Sequence, residues 1–224
     1  MEEENTTYNE LINAFLKSRN PDQAIQMAAY MKNNFPFLGI KKPQRAALGK
    51  DFIKNAKKQK IINWDFIDRL WVMPEREFQY LAIDYLLALK DYLQKDDIDN
   101  IKFLVETKPW WDTVDTLASN ITGVLCLKYP ELINSHILKW AESNNIWLVR
   151  VAILFQLKYK EKTDQELLSL IIKQNSNTTE FFINKAIGWV LREYSKTNKE
   201  WVKEFIASNP LHPLSVKEGS KYLD

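Results

Sequence analysis

The chain has 224 residues, of which 46% are hydrophobic and 27% are charged, and its formal net charge at pH 7 is +2. These values describe an ordinary globular protein that can bury a substantial core. With Cys126 as the only cysteine and His136 and His212 as the only histidines, an intramolecular disulfide and a thiolate metal cluster are excluded, and a Ser-His-Asp triad or a multi-histidine metal site is disfavoured.

The sequence shows no signal peptide and no apolar run long enough to span a membrane, so we expect a protein of the reducing cytoplasm. Acid–base chemistry, where present, has to come mainly from carboxylates. Apolar residues recur at helical spacing almost everywhere, whereas strand-like alternation with tight turns is absent. Many breaks coincide with X-Pro pairs. The predicted helices cover residues 5–18, 21–35, 43–57, 63–73, 75–90, 95–106, 109–128, 130–143, 146–160, 163–174, 178–197, 199–208 and 213–223.

Short helices joined by short connections predict an all-α, HEAT-like (armadillo-type) helical repeat solenoid, although no clean residue-by-residue repeat is visible. No Gly-, Ser- or Pro-rich linker divides the chain, so we expect one domain over residues 1–224.

The first half of the chain contains one strongly basic segment. Residues 41–60 hold eight basic residues against the single acidic Asp51, and Tyr30 projects from the flank of the helix before them. The apolar turn at residues 35–40 contains Gly39, which can take a backbone angle that other residues resist. Lys41, Lys42 and Arg45 then open the next helix, where cations and a helix N-terminus together favour phosphate. A solvated basic helix face remains the alternative.

The second half opens with a tryptophan pair before an amphipathic helix, at residues 108–115. Pro109 suits the first turn of a helix. Trp111 and Asp115 are four residues apart and are therefore neighbours on one edge of that helix. Asp112 and Asp115 both lie in its opening turns, where the helix dipole favours negative charge. The carboxylates can serve only to stabilise the helix terminus, or one of them can serve chemistry.

Arg150 lies in the middle of the predicted helix 146–160, which is apolar nearly all round and is therefore expected to be buried. An unpaired buried guanidinium is costly, so Arg150 needs a carboxylate or another anion beside it. Asp115 or Asp112 could supply that charge. A purely structural Arg–Asp pair remains open at this point.

The predicted helix 178–197 carries a second informative face. Its core stripe is apolar, whereas Phe182, Trp189 and Lys196 are seven residues apart on a different face. Lys185 and Arg192 fall close to the same line. Cations interleaved with aromatic rings on a face outside the core suit a sugar–phosphate backbone.

These segments together resemble the AlkD family of DNA alkylation repair glycosylases over nearly the whole chain. The resemblance is carried by four separated matches in the right order: 30–33 with 37–40, 110–115, 148–150 with 154–157, and 181–182 with 185–189 and 191–196. It implies a curved HEAT-like array whose concave basic face holds duplex DNA. It also implies a monofunctional alkylpurine DNA glycosylase, active in base excision repair. Such an enzyme excises cationic N3- and N7-alkylated purines such as 3-methyladenine and 7-methylguanine, without base flipping and without a metal or organic cofactor.

Carried over position by position, the resemblance makes Asp115 the catalytic carboxylate, Trp111 and Trp189 the aromatic walls at the lesion, and Arg150 the active-site arginine. Some family members have a second arginine after the positions of Arg150 and Arg45, where this chain has Val151 and Ala46. Those departures put the strength of DNA binding in question but leave the chemistry intact. The residues expected at or near DNA are Tyr30, Lys41, Lys42, Arg45, Lys158, Phe182, Lys185, Arg192 and Lys196.

Two other functions remain possible from the sequence. A non-catalytic helical-repeat protein could bind damaged or distorted DNA, but pure binding gives no reason to hold an acidic group near a polyanion. A helical-repeat scaffold for protein partners would bind peptides and not DNA. We expect a monomer with no obligate protein partner.

Overall fold

The computed structural model describes the backbone of residues 2–223 and the side chains of residues 7–223. All regular elements in this part of the chain are helical, as predicted. None of the helices in this range is long and apolar enough to cross a membrane. The α-helices are α1 (Glu2–Lys17), α2 (Pro21–Tyr30), α3 (Lys42–Gln59), α4 (Trp64–Val72), α5 (Arg76–Leu89), α6 (Asp97–Glu106), α7 (Trp111–Thr116), α8 (Gly123–Lys128), α9 (Leu138–Ala141), α10 (Ile146–Leu154), α11 (Gln165–Gln174), α12 (Phe181–Tyr194), α13 (Lys199–Ser208) and α14 (Pro213–Gly219).

The helices group into two compact units, the first ending at Leu93 and the second beginning at Gln94. Helices α1 to α5 belong to the first unit, and α6 to α14 belong to the second. A single domain over residues 1–224 stays a prediction.

The first unit contains a tight turn that is anchored by one buried carboxylate. Gly39 has φ +87°, and a Cβ placed on it would lie 2.1 Å from the carbonyl oxygen of Asn20, so only glycine fits. The backbone N–H groups of Leu38, Gly39 and Ile40 donate to the Glu77 carboxylate at 2.8 to 3.0 Å. The expectation of an unusual backbone angle at Gly39 is confirmed.

Helix α2 ends earlier than its apolar pattern predicts, at Tyr30 and not at residue 35. Lys32 and Asn33 both take positive φ, 58° and 57°. The Asn33 N–H reaches back to the Ala28 carbonyl at 2.8 Å, the closing bond of a Schellman-type terminus. Because no glycine marks this terminus, the sequence gives no sign of it.

In the second unit, one long helical stretch runs from α7 into α8 through a π-helical segment at Leu117–Thr122. The apolar spacing of this helix predicts a core stripe of Val114, Leu117, Ile121, Val124 and Leu125. Four of these residues are fully buried, whereas Val124 is half-buried. Its predicted start at Pro109 is wrong by two residues. Lys108 takes a positive φ of 50° and Trp110 is extended, so regular helix begins at Trp111.

Helix α10 lies at the centre of the second unit, with all residues from Trp147 to Leu154 buried. This confirms the burial predicted from its apolar pattern, although the helix ends six residues before the predicted position. Helix α12 packs closely along α14. A Cβ placed on Gly188 would lie 2.5 Å from the Cβ of Glu218 and 3.0 Å from the carbonyl of Ser215.

Candidate functional site

Asp115 and Arg150 form a bidentate ion pair in the second unit. Arg150 Nε donates to Asp115 Oδ1 at 2.7 Å, and Arg150 Nη2 donates to Asp115 Oδ2 at 2.9 Å. The Arg150 side chain is 6% exposed and that of Asp115 is 15% exposed. The sequence predicts a carboxylate beside Arg150 and leaves Asp112 and Asp115 as candidates. In the structure the partner is Asp115.

Three elements hold this pair in place. Asp115 lies one turn into α7, after Trp111, and Arg150 projects from the middle of the buried helix α10. The third guanidinium nitrogen, Nη1, donates to the backbone carbonyl of Phe182 in the first turn of α12. Arg150 therefore connects three helices, and its planar fork leaves little freedom for the Asp115 carboxylate to rotate.

Two opposing effects set the pKa of Asp115. Burial raises this pKa above its ordinary value of 3.8, and the Asp112 carboxylate nearby adds to the rise, whereas the hydrogen bonds and the charge of Arg150 lower it. The net direction is upward. Because both carboxylate oxygens accept hydrogen bonds from a guanidinium that stays protonated, the geometry is that of an ionised carboxylate.

A cluster of aromatic rings stands beside the pair. The Trp110 ring centroid lies 5.7 Å from that of Trp147 and 5.1 Å from that of Phe182, and the Trp147 and Phe182 centroids are 4.9 Å apart. Phe182 was predicted to be an exposed DNA-facing ring. It is half-buried in this cluster, and its neighbour Phe181 is the exposed one, at 55%.

Polar side chains on the π-helical segment link the Asp115 backbone to the surface. Ser119 Oγ donates to the Asp115 carbonyl at 2.9 Å and accepts from Asn120 Nδ2 at 3.0 Å. The exposed Lys158 donates in turn to Asn120 Oδ1. Because its partner is a neutral amide, the Lys158 ammonium keeps its full charge for an anionic ligand.

Trp189 is half-buried on α12. It borders a pocket of about 790 Å³ in the second unit, to which Lys158 and Lys196 also contribute. Lys196 is paired with Glu193 at 2.6 Å, with both side chains well exposed, and its ammonium lies 5.5 Å from the centre of the Tyr222 ring. The lining of the pocket is mixed in charge, because it combines the Trp189 indole with three lysines, Lys158, Lys160 and Lys196, and with two carboxylates, Glu161 and Glu193.

The other two predicted cations of α12 share a carboxylate that the sequence did not single out. Lys185 Nζ lies 3.0 Å from Glu218 Oε1, and Arg192 Nη1 donates to Glu218 Oε2. Lys221, three residues after Glu218, donates to the same carboxylate at 2.9 Å. The spacing of Glu218 and Lys221 predicts a local pair within α14 and its extension. No sequence pattern predicts that Glu218 and Lys221 lie against Lys185 and Arg192 of α12.

The predicted residues of the first unit divide into two groups. Tyr30, Lys41 and Lys42 are exposed at the end of α2 and the start of α3. Arg45 is 8% exposed, and its Nε donates to Asp84 at 2.8 Å while its guanidinium lies 4.8 Å from the centre of the Tyr80 ring. Arg45 is thus occupied within the first unit, so we leave it out of the DNA surface proposed below.

Within residues 7–223, no group of three or more histidine, cysteine, aspartate or glutamate side chains is arranged to hold a metal ion. Cys126 lies in an apolar stretch of the sequence, which predicts a small core residue, and it is buried.

Comparison with known proteins identifies the family of the chain. The family model described as DNA alkylation repair enzyme matches residues 11–223. A solved structure of a predicted DNA alkylation repair enzyme from Enterococcus faecalis is similar, with a TM-score of 0.83 and 38% sequence identity, over 92% of this chain and 97% of that chain. No curated protein matches the sequence. The chain has the all-α helical-repeat fold and belongs to the AlkD-like family of DNA alkylation repair enzymes.

Proposed function

We propose that the protein is a monofunctional DNA glycosylase of base excision repair that hydrolyses the N-glycosidic bond of cationic N3- and N7-alkylpurines in duplex DNA. The observation that supports this most strongly is the Asp115–Arg150 pair, with bonds of 2.7 and 2.9 Å and a carboxylate that is only 15% exposed. A carboxylate fixed in this way, one helical turn after the half-buried Trp111, is suited to stabilise a developing cation.

The chemistry of the lesion explains why a carboxylate and an aromatic wall would suffice. Alkylation at N3 or N7 gives the purine a positive charge, so the base leaves as a neutral molecule and needs little help from a general acid. The remaining barrier is the positive charge that develops on the deoxyribose. A fixed carboxylate stabilises that oxocarbenium-like state and can orient the attacking water, by the logic of glycoside hydrolysis. A shortage of histidine is no obstacle to such a reaction.

Arg150 leaves Asp115 able to perform this role. Each carboxylate oxygen has two lone pairs, and the guanidinium uses one on each oxygen, so the other two are available to a water or a sugar. Trp111 and Trp189 are proposed as the aromatic walls at the lesion, where a cation–π attraction of about 0.5–2 kcal/mol per ring assists the cationic state.

For the DNA surface we propose basic residues of the HEAT-like array that bind the duplex without flipping the damaged base. In the first unit these are Lys41 and Lys42, with Tyr30. In the second unit they are Lys158 and Lys196, with Phe182, and also Lys185 and Arg192, which Glu218 holds. The proposed enzyme acts in the cytoplasm as a monomer and uses no metal or organic cofactor.

The test is release of 7-methylguanine and 3-methyladenine from methylated duplex DNA under single-turnover conditions. Asp115→Asn should slow release by about 10²–10³-fold, the cost of removing one preorganised electrostatic group from an active site. Asp112→Asn makes the same change of charge one turn earlier in α7 and serves as the matched control. Asp112 lies in the first turn of that helix, and its charge raises the pKa of Asp115, so its removal leaves Asp115 ionised at neutral pH. Release by Asp115→Asn at the wild-type rate would overturn the proposal.

One observation favours the second candidate, a non-catalytic protein that binds damaged or distorted DNA. Both oxygens of Asp115 are already hydrogen-bonded to Arg150, as in a purely structural ion pair. In that case the wild-type protein would bind methylated DNA without releasing any base. Asp115→Asn would lower the free energy of unfolding, and DNA binding would weaken only because less protein is folded.

A further inference from the structure

The Glu218 carboxylate accepts hydrogen bonds from three cationic side chains. It projects from α14, and its side chain is 12% exposed. It accepts from Lys185 Nζ at 3.0 Å, from Lys221 Nζ at 2.9 Å and from Arg192 Nη1. Lys185 and Arg192 are seven residues apart on α12, and Trp189 lies between them at the i+4 position, so all three side chains share one stripe of that helix.

The backbone of α14 is fixed against α12 independently of these ion pairs. Ser215 Oγ donates to the carbonyl of Asn184 at 2.9 Å and lies 3.1 Å from Asn184 Oδ1. Gly188, next to Trp189, leaves no room for a side chain because a Cβ there would meet Glu218 Cβ at 2.5 Å. The backbone at Glu218 is therefore fixed relative to α12, so its carboxylate can restrict the movement of the Lys185 and Arg192 side chains.

The charges of this cluster do not cancel. One carboxylate faces two ammonium groups and one guanidinium, which leaves two positive charges. The lysines, first Lys221 and then Lys185, lower the pKa of Glu218 to about 2, so the carboxylate is ionised at every pH of interest. The side chains of Lys185 and Arg192 are still 36% and 24% exposed, so each can contact an anion on its open side.

We propose that Glu218 is a positioning residue that fixes Lys185 and Arg192 on either side of Trp189 as a preformed site for DNA phosphates. This inference rests on the proposed function, because it assigns Glu218 to the geometry of that site. Glu218 does not contact the reacting atoms. Its effect is to hold two flexible cations, which would otherwise repel each other and move, at a fixed distance from the Trp189 ring.

Glu218→Gln tests this, because it removes the charge and keeps the shape of the side chain. Glu204→Gln on α13 is the matched control, since it makes the same change of net charge at an exposed residue without an ion pair among the described residues. Base release from the saturated complex should slow by about ten-fold in Glu218→Gln, as expected when bound groups lose their alignment. Binding should not weaken, and its dependence on salt should steepen by about 0.9 in log–log slope because one more cationic charge is free for phosphate. Glu204→Gln should change neither quantity.

A double-mutant cycle separates positioning from a general structural role. If Glu218 acts through Arg192, then Arg192→Ala should slow release in the wild-type background and have little further effect in the Glu218→Gln background. Additive effects would overturn the proposal, and so would a Glu218→Gln release rate equal to that of Glu204→Gln. Glu218→Asp, which keeps the charge on a shorter side chain, should restore part of the rate, whereas no recovery from a folded Glu218→Asp protein would count against positioning.

The experiments distinguish a failure of the proposed glycosylase function from a failure of the inference about Glu218. If the wild-type protein releases no base, that function is wrong. The salt dependence of binding to an unmodified duplex still decides whether Glu218 holds the two cations. A slope for Glu218→Gln equal to that of Glu204→Gln would then overturn the inference by itself.

Discussion

Replacement of Arg150 by methionine should expose how the Asp115 site depends on its buried guanidinium. Arg150 is 5% exposed and donates three hydrogen bonds, two to Asp115 and one to the Phe182 carbonyl. Methionine is unbranched like the aliphatic part of arginine, is shorter than the whole arginine side chain and has no donor. The substitution therefore keeps much of the packing of α10 but leaves the carboxylate of Asp115 buried without its counter-charge.

The expected magnitude follows from this geometry. Breaking a buried pair by removing one partner costs about 3–5 kcal/mol, and the 15% exposure of the Asp115 side chain places the loss at the lower end, at about 3 kcal/mol. In a protein of this size each kcal/mol corresponds to about 2–4 °C, so the melting temperature should fall by about 6–12 °C.

The loss should also depend on pH. Without Arg150, both remaining influences on the pKa of Asp115, burial and the Asp112 charge, act upward. The pKa in the folded state then lies above that in the unfolded state, so the folded protein binds the proton more tightly and its stability falls as pH rises through the folded pKa. The deficit of Arg150→Met should therefore be larger at pH 8 than at pH 5.

Thermal and urea unfolding of the wild type, Arg150→Met and the double variant Asp115→Asn/Arg150→Met at both pH values measure this. The double variant has no buried charge, so its deficit should be smaller and nearly independent of pH. An Arg150→Met deficit below about 1 kcal/mol, the range of an exposed pair, or one that is equal at the two pH values, would refute the reasoning.

Three further predictions concern other groups. Base release should fall as pH drops through the folded pKa of Asp115, which burial holds above 3.8, so an acidic limb at or below that value in the rate profile would contradict the assignment. Gly39→Ala should lower the free energy of unfolding, measured in urea, by at least about 2 kcal/mol because the residue has φ +87° and no space for a Cβ; an unchanged value would mean that the turn can open. Burial raises the pKa of the Cys126 thiol to about 12, so a thiol reagent at pH 8 should modify it far more slowly in the native protein than in urea, and equal rates would show that α8 opens readily.

The sequence predicted the elements that depend on local periodicity. The core stripes of the α7–α8 stretch and of α12, the burial of α10 and the unusual backbone angle of Gly39 all follow from spacing, apolar character and residue type. The structure confirms them, except that Val124 of the first stripe is half-buried. The need of Arg150 for a carboxylate followed from the cost of burying a charge. That requirement named two candidates, and only the three-dimensional packing decided for Asp115.

What the sequence missed depends on contacts between distant segments. Glu218 lies 33 residues from Lys185 along the chain, so no local pattern joins them. Arg45 has the sequence context of a surface cation, but Asp84 and Tyr80 lie far along the chain and enclose it. The ring of Phe182 is likewise half-buried, because Trp110 and Trp147 from two other segments pack against it.

The π-helical segment Leu117–Thr122 determines how the helix beside the site would respond to the deletion of one residue. Its wider turns place one more residue between hydrogen-bonded partners than an α-helix does. In an ordinary helix, deleting one residue rotates everything beyond it by about 100° and would separate a site residue from its partner. Here the loss of one residue between 117 and 122 would turn the wide segment into α-helix and leave Asp115 and the core stripe of α8 in phase. The chain thus holds, directly behind its proposed catalytic carboxylate, a position where it can lose a residue without losing the alignment of Asp115 with Arg150.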